Sequence, residues 1–347
     1  MRRKTKTTGD RQYSVDNPVN HALLLGLSFL ILISGYGALA GSDAADVPSG
    51  ATPLWEHIRL LIPGLPYACL AGCLVTVFGA VLLHRMNYML MIIREKTIMP
   101  PLLYILLIGS SAGGFMLTPV LPALLSLMLA SYILFTSFHE GADISKAFNI
   151  AFLIGLGSLL WTHLLLFMPL FWWGMYSFNI LRLRTFLASL MGVGVIYWFM
   201  LGWCVVTEDF APFTLSFSLL IEAGGQAEAV FYPPYIKWAN LLLIAFFGIV
   251  GAGNIMLIGY DDNLRTRKCL SFLTGTLIFS VILFLAYGMK EEGFSAIACM
   301  PIALLTAHFL TSKKSKRKLW LCYVMLMLIT LLTFLKSPWI YSLNTAI

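Results

Sequence analysis

The chain has 347 residues, 59% of them hydrophobic and 11% charged, with a mean hydropathy of +0.84 and a formal net charge of +7. An ordinary soluble domain carries roughly 25% charged residues, so the composition excludes one and describes a chain solvated by lipid. The excess positive charge is scattered in short clusters between apolar runs rather than gathered on one stretch, so no nucleic-acid partner is expected.

Residues 1–20 form a basic segment containing Arg2, Arg3, Lys4, Lys6 and Arg11, and the first apolar run covers 21–40. A basic start, an apolar run and Ala38-Leu39-Ala40 before Gly41-Ser42 also describe a secretory leader with its cleavage site. The run is long for the apolar part of a leader and the basic segment long for its start, so an uncleaved signal-anchor helix is favoured. A span needs about 20 apolar residues, somewhat fewer where helices pack together. On that rule further spans are expected near 65–83, 101–118, 119–137, 149–165, 166–181, 186–206, 236–260, 269–288, 294–311 and 319–336. Tight turns at Thr118-Pro119 and Phe167-Met168-Pro169 would join neighbouring spans. The expected fold class is therefore all-α: a polytopic transmembrane helical bundle of about eleven spans, a single domain over 21–336 with a tail at 337–347.

Alternating the spans places 19 of the 23 Lys and Arg residues on one side of the membrane and leaves Arg59, Lys237, Lys290 and Lys336 on the other. Basic residues are retained in the cytoplasm, so the expected topology is N-inside and C-outside in a cell inner membrane. All six cysteines, Cys69, Cys73, Cys204, Cys269, Cys299 and Cys322, fall in expected spans, which suits packing rather than a disulfide framework or a zinc ribbon.

Two outside loops, 41–64 and 207–235, are long, and long loops tend to be functional. The first gathers Asp43, Asp46, Glu56, His57 and Arg59, and residues 54–62 read as a short interfacial helix with Trp55 at headgroup level. The second carries Glu208, Asp209, Glu222 and Glu228, and its apolar stretch 211–221 is too short to cross a bilayer. Carboxylates gathered there suit a general base or a divalent metal site; solvated loop acids are the plainer alternative. Asp43, Asp46, Glu56, Glu208 and Asp209 are thus the candidate catalytic residues.

Within the spans His163 and His308 are the ionisable candidates, because burying such groups in lipid is costly. No expected span contains Asp or Glu, which argues against a carrier built around a midplane carboxylate. Asn240 and Asn254 sit fourteen apart on one expected helix and suit interhelical hydrogen bonds. His57, Arg59 and His163 on the outside, with Arg94, Arg182 and Arg184 on the inside, are the candidate substrate-binding residues. The inside clusters Arg94-Glu95-Lys96, Arg182-Leu-Arg184 and Arg265-Thr-Arg-Lys268 suit lipid headgroups, with an anionic substrate or a lipid phosphate as the alternative.

The stretch Ala151-Phe-Leu-Ile-Gly-Leu-Gly-Ser-Leu-Leu-Trp161, with Phe171-Trp-Trp-Gly174, Ile180-Leu-Arg182 and Thr185-Phe-Leu-Ala-Ser-Leu-Met-Gly192, resembles an uncharacterised family of polytopic membrane proteins from Bacteroidetes. Arg94-Glu-Lys-Thr-Ile-Met-Pro-Pro-Leu-Leu-Tyr104 also looks like that family's second inside loop, and the resemblance covers roughly residues 20 to 330. The order of a Gly-rich span, a proline-bearing turn and an Arg-rich inside loop is also similar to multispanning GT-C glycosyltransferases. That similarity implies an acid of the first outside loop as base or metal ligand and a polyprenyl-phosphate-linked sugar as partner. Asp43, Asp46 and Glu56 occupy the corresponding loop, although it holds no Asp-Asp or Asp-x-Asp pair. Two functions are carried forward: a role in handling lipid-linked saccharides of the cell envelope, as transferase or accessory subunit, and a non-catalytic scaffold or transporter-like subunit that works with other envelope proteins.

Overall fold

The computed structural model describes residues 26, 52–93, 97–111, 116–138, 141, 143–221, 242, 244–249, 253, 263–287, 293–312, 324, 327 and 328. Within them the chain forms α1 (Pro53–Leu60), α2 (Leu65–Leu90), α3 (Met99–Ser110), α4 (Val120–Thr136), α5 (Ile144–Leu160), a 3-10 turn (Thr162–Phe167), α6 (Met168–Ser177), α7 (Leu183–Thr207), α8 (Ala211–Ile221), α9 (Leu264–Ala286) and α10 (Gly293–Ser312). No strand occurs among the described residues. Helix is the form that satisfies every backbone group within one segment, as lipid requires. Among the described residues four helices are long and apolar enough to cross a membrane: Pro66–Leu90, Leu183–Thr207, Leu264–Ala286 and Gly293–Thr311. Shorter apolar helices cover Met99–Ser110, Val120–Thr136 and Ile144–Leu160. The expected spans at 21–40, 236–260 and 319–336 lie wholly or largely outside the described residues.

Burial sorts the long helices. α10 is 89% buried over its most apolar window, α7 only 17%. A helix that is apolar all round belongs in the interior, and α10 is one: Ile297, Ala298, Met300, Ile302, Ala303, Leu304 and Leu305 are all buried as it packs on α9, α3 and α4. α7 packs mainly along α5 and turns Leu190, Met191, Trp198, Phe199 and Trp203 outward. These two helices run parallel, since Gly192 meets Phe148 and Ala151, Gly155 meets Val193 and Ile196, and the Ser158 and Tyr197 hydroxyls are 3.0 Å apart. Small residues let the backbones approach, the usual device where apolar side chains gain nothing over lipid.

Several element boundaries depart from the sequence reading. α2 continues to Leu90, where Met91 takes a left-handed φ of 49°, so Arg85 stands on its outer surface rather than in a loop. Buried Asn87 fixes the turn that follows by accepting the Ile93 N–H at 3.1 Å. α3 stops at Ser110 instead of running to 118. The Ser110 and Ser111 hydroxyls donate back to the carbonyls of Leu107 and Ile108 at 2.8 and 2.6 Å, the local competition that makes serines poor helix extenders. The chain reverses at Trp161 rather than at 167–169: Trp161 is extended (φ −142°, ψ 102°), and Leu164 packs back on Gly157. Pro169 falls in the first turn of α6, where its missing N–H costs nothing.

The bundle has two ends of opposite character. Leu117 N–H donates to the Ala68 carbonyl, Thr52 Oγ1 to the Leu160 carbonyl and the Tyr287 hydroxyl to the Leu220 carbonyl. These bonds, with Gly293 against Trp161, bring the starts of α2 and α10 and the ends of α5, α8 and α9 together at one end. The opposite end holds the finish of α4 and α6 and the start of α9, joined by Phe135, Phe138, Phe178 and Arg265. Of the eight described Lys and Arg residues, seven (Arg85, Lys146, Arg182, Arg184, Arg265, Arg267 and Lys268) lie toward this second end and only Arg59 toward the first. Among the described acids, Glu56, Glu208 and Asp209 lie at the first end and Asp143 at the second.

Candidate functional site

The described candidate residues fall into four places. At the acidic end, α1 carries Glu56, His57 and Arg59. The helix forms where sequence reading expected one, with Trp55 turned into the protein. Its ring is fully buried against Ala68 and Leu117, with Ile58 and Ile62 beside it, while Leu60 and Leu61 are exposed. The indole fills the gap between the start of α2 and the turn before α4, the large apolar burial that a Trp ring supplies. With Trp55 inside, the same helix turns Glu56 partly and His57 fully outward. Arg59 Nε donates to Glu56 Oε2 at 2.9 Å across one turn. A carboxylate so engaged has less lone-pair capacity left for a metal or a proton.

The second place is the α7–α8 junction, also at the acidic end. Glu208 closes α7 with a left-handed φ of 57°, and Asp209 accepts the Ala211 N–H at 2.9 Å. Both side chains are exposed. Asp209 thereby occupies an orphan donor at the start of α8, the ordinary task of an acid at a helix N-terminus. α8 is too short to span, as expected, and packs on α7 and the 3-10 turn.

The third place is buried. His163 stands in the 3-10 turn within an aromatic nest, its ring centroid 5.3 Å from Trp161, 5.0 Å from Tyr287 and 5.7 Å from Phe294. Tyr287 ties the nest to α8 through its 2.6 Å bond to the Leu220 carbonyl. A Cβ on Gly293 would lie 2.6 Å from Trp161 Cζ2, so α10 can begin against the indole only with glycine there. Thr162, beside His163, has a buried hydroxyl with no hydrogen-bond partner among the described residues. His308, the other span histidine, is buried toward the far end of α10.

Arg182 and Arg184 are exposed at the start of α7, at the basic end. Twenty-five residues of α7 separate them from Glu208, about 37 Å along the axis at 1.5 Å per residue. No single pocket therefore unites these arginines with the acids of the other end. Asp43, Asp46, Arg94, Glu222, Glu228, Asn240 and Asn254 lie outside the described residues. Among the described residues no group of three or more His, Cys, Asp or Glu side chains is placed to hold a metal ion, and Cys69, Cys73, Cys204, Cys269 and Cys299 are free thiols.

Sequence reasoning missed two arrangements. The nest around His163 draws on residues 161, 163, 287 and 294, and its only sequence signal is a ring at each of two turns that fold to one end. Arg265, in a basic cluster that suits lipid headgroups from sequence alone, also donates through Nη2 to the Phe135 carbonyl at 3.2 Å and so clips α9 to the last turn of α4, a contact with no sequence signal. Comparison with protein-family models, with curated proteins and with solved structures finds no match to this chain.

Proposed function

We propose that this is a multi-pass protein of a bacterial inner membrane, with about eleven spans, its N-terminus in the cytoplasm and its C-terminus outside, serving as an accessory or scaffold subunit in the handling of lipid-linked saccharides of the cell envelope. The observation that carries the topology is the collection of seven of eight described basic residues at one end of the bundle, the sign of a cytoplasmic face. An accessory role is supported by the tasks of the described acids: Glu56 is paired with Arg59, Asp209 caps α8 and Glu208 closes α7. Other envelope proteins and membrane lipids are its partners in this reading. Affinity capture in a mild detergent tests it. A stoichiometric partner, lost on substitution of the outward face of α7 and kept on substitution of the acids, is expected; a chain that purifies alone from native membranes opposes it. Cysteines placed singly at 57 and 184 and probed with an impermeant maleimide test the sidedness, and labelling of position 184 from outside would reverse it.

The acidic character of the end opposite the arginines favours a second reading, a GT-C-like transferase. There Asp43 or Asp46 acts as base or as ligand of a divalent metal, and a polyprenyl-phosphate-linked sugar is substrate. Alanine at Asp43, Asp46, Glu208 and Asp209, one at a time in stably expressed protein, separates the readings. Unaltered envelope glycans in all four variants, in a host that requires the protein, would remove the transferase.

A further inference from the structure

The register of α5 and α7 sets Gly155 against Val193 and Ile196, and the Ser158 hydroxyl against that of Tyr197. Leu160, the end of α5, therefore stands close to Met200, and the last two turns of α7 rise about 10 Å beyond it. At Glu208 the chain turns back through a left-handed φ of 57°. α8 then descends: the Phe217 ring lies 5.5 Å from that of Tyr197, and the Leu220 carbonyl accepts the Tyr287 hydroxyl at 2.6 Å. It lies over the 3-10 turn as the returning arm of a helical hairpin. In the overhanging turns Gly202, Trp203, Val205 and Val206 are exposed while Cys204 is fully buried. Cys204 falls two turns after Tyr197 and so on the stripe of α7 that faces α8. Two local costs converge on this arm. Glu208 holds a conformation that suits glycine. Beneath α8 the Thr162 hydroxyl is buried, with its residue 1% exposed, and has no hydrogen-bond partner among the described residues. A hydroxyl sealed in this way loses free energy that a partner from outside would return.

We infer that α8 is a hinged cover: it swings about Glu208–Phe210, parts Phe217 from Tyr197 and Leu220 from Tyr287, and opens Thr162 with its neighbour His163 to the acidic end of the bundle. The inference goes beyond the proposed function and does not depend on it, since it needs neither a saccharide nor a partner protein. A helix satisfies its own backbone in either position, and the apolar side chains of α8 find lipid when they leave the bundle. The moving element is thus one whose release leaves few groups stranded, as expected of the least stable parts of a fold. Closure is held by ring contacts and the Tyr287 bond; opening is favoured by the hydroxyl that closure leaves unsatisfied. Single side chains on either side of that balance set the open fraction.

The test treats the full chain in nanodiscs with a membrane-impermeant maleimide and reads each cysteine on its own peptide by mass spectrometry. Cys204 reports opening, and Cys269, buried near the start of α9 at the basic end, reports general loosening. Slow modification of Cys204 is expected in the parent and about fivefold faster modification in Y287F, the factor that one hydrogen bond is worth. T162V keeps the shape and removes the hydroxyl that closure strands, so Cys204 should react at least about fivefold more slowly there. Cys269 should be unchanged in all three. T162C should be modified at the rate of Cys204, because one motion uncovers both. Modified Cys204 beside a protected T162C would show fraying of the hairpin tip and overturn the cover. So would a T162V protein whose Cys204 reacts as fast as the parent's, a Cys204 that reacts in neither the parent nor Y287F, or a Y287F protein in which Cys204 and Cys269 speed up alike.

Discussion

Replacing Gly192 by alanine asks how much of the bundle depends on the parallel crossing of α5 and α7. The new Cβ would lie 2.6 Å from the Phe148 carbonyl oxygen, 3.0 Å from Ala151 Cβ and 3.0 Å from Phe152 N. Two of these are backbone atoms of a regular helix and have no rotamer to yield. The helices must part by about half an ångström or more, and a radial gap of 0.5–1 Å forfeits a quarter to a half of each dispersion contact. The Ser158–Tyr197 hydroxyl contact, now 3.0 Å, stretches with them. Overpacking of this kind costs about 1–3 kcal/mol, while alanine regains up to about 1 kcal/mol of helix propensity; the net is a loss of roughly 1–2 kcal/mol. Gly194, two residues on, is the internal control, since a Cβ there meets nothing within 4 Å and only the propensity gain applies. Denaturant unfolding of both variants in detergent micelles, followed by circular dichroism, gives the comparison. G192A should unfold at lower denaturant than the parent and G194A at the same or higher. A G192A protein at least as stable as the parent would refute the close crossing.

Trp55→Ala empties the contact with Ala68 and Leu117; a buried Trp is worth about 3–5 kcal/mol in a large core, but α1 is held by a small satellite cluster, so the expected result is local release, seen as faster amide exchange over residues 53–62 without loss of the main transition. Glu208→Gly relieves a left-handed residue (φ 57°) and should stabilise the protein by about 1 kcal/mol, read as a raised unfolding midpoint in detergent; an unchanged or lowered midpoint would refute the strain. Tyr287→Phe removes the bond to the Leu220 carbonyl, costing about 1 kcal/mol, and should raise proteolytic cleavage in α8 more than anywhere else. Asp209→Ala deprives α8 of the bond to Ala211 N–H and should cost about 1 kcal/mol, measured as a lowered unfolding midpoint.

The helical class was legible because lipid leaves the backbone few alternatives, and the 17-residue helices at Val120–Thr136 and Ile144–Leu160 fall close to where apolar runs placed them. Boundaries were less legible where a local side-chain bond decides them. Ser110-Ser111 ends α3 inside an apolar run whose hydropathy gives no stop, and Trp161 turns the chain before the proline that looked like the turn. Asp209 shows the difficulty at the site. In isolation a loop acid suits a base, a ligand or a cap equally, and the deciding feature is three residues on: Pro212 in a first helical turn makes Asp209-Phe-Ala-Pro a helix start. Glu56 and Arg59, three apart, become a pair only once Pro53 starts the helix that brings them onto one face.

The two ends of the bundle use their charges differently, and that difference is physical. At the acidic end the described carboxylates sit on the surface of the packing, closing or capping helices that would stand without a ligand. At the basic end Arg265 is drawn into the structure, bonded to a carbonyl at the finish of α4, and Lys268 rests on a ring. Burying part of a guanidinium carries a desolvation cost that one carbonyl only partly offsets, and its place in the first turn of α9 sets it against the helix dipole. A surface lysine would place positive charge at that end at no such cost. The preference for one sign at one end accounts for the charge there, and the Phe135 carbonyl and the Phe138 ring account for where Arg265 and Lys268 rest.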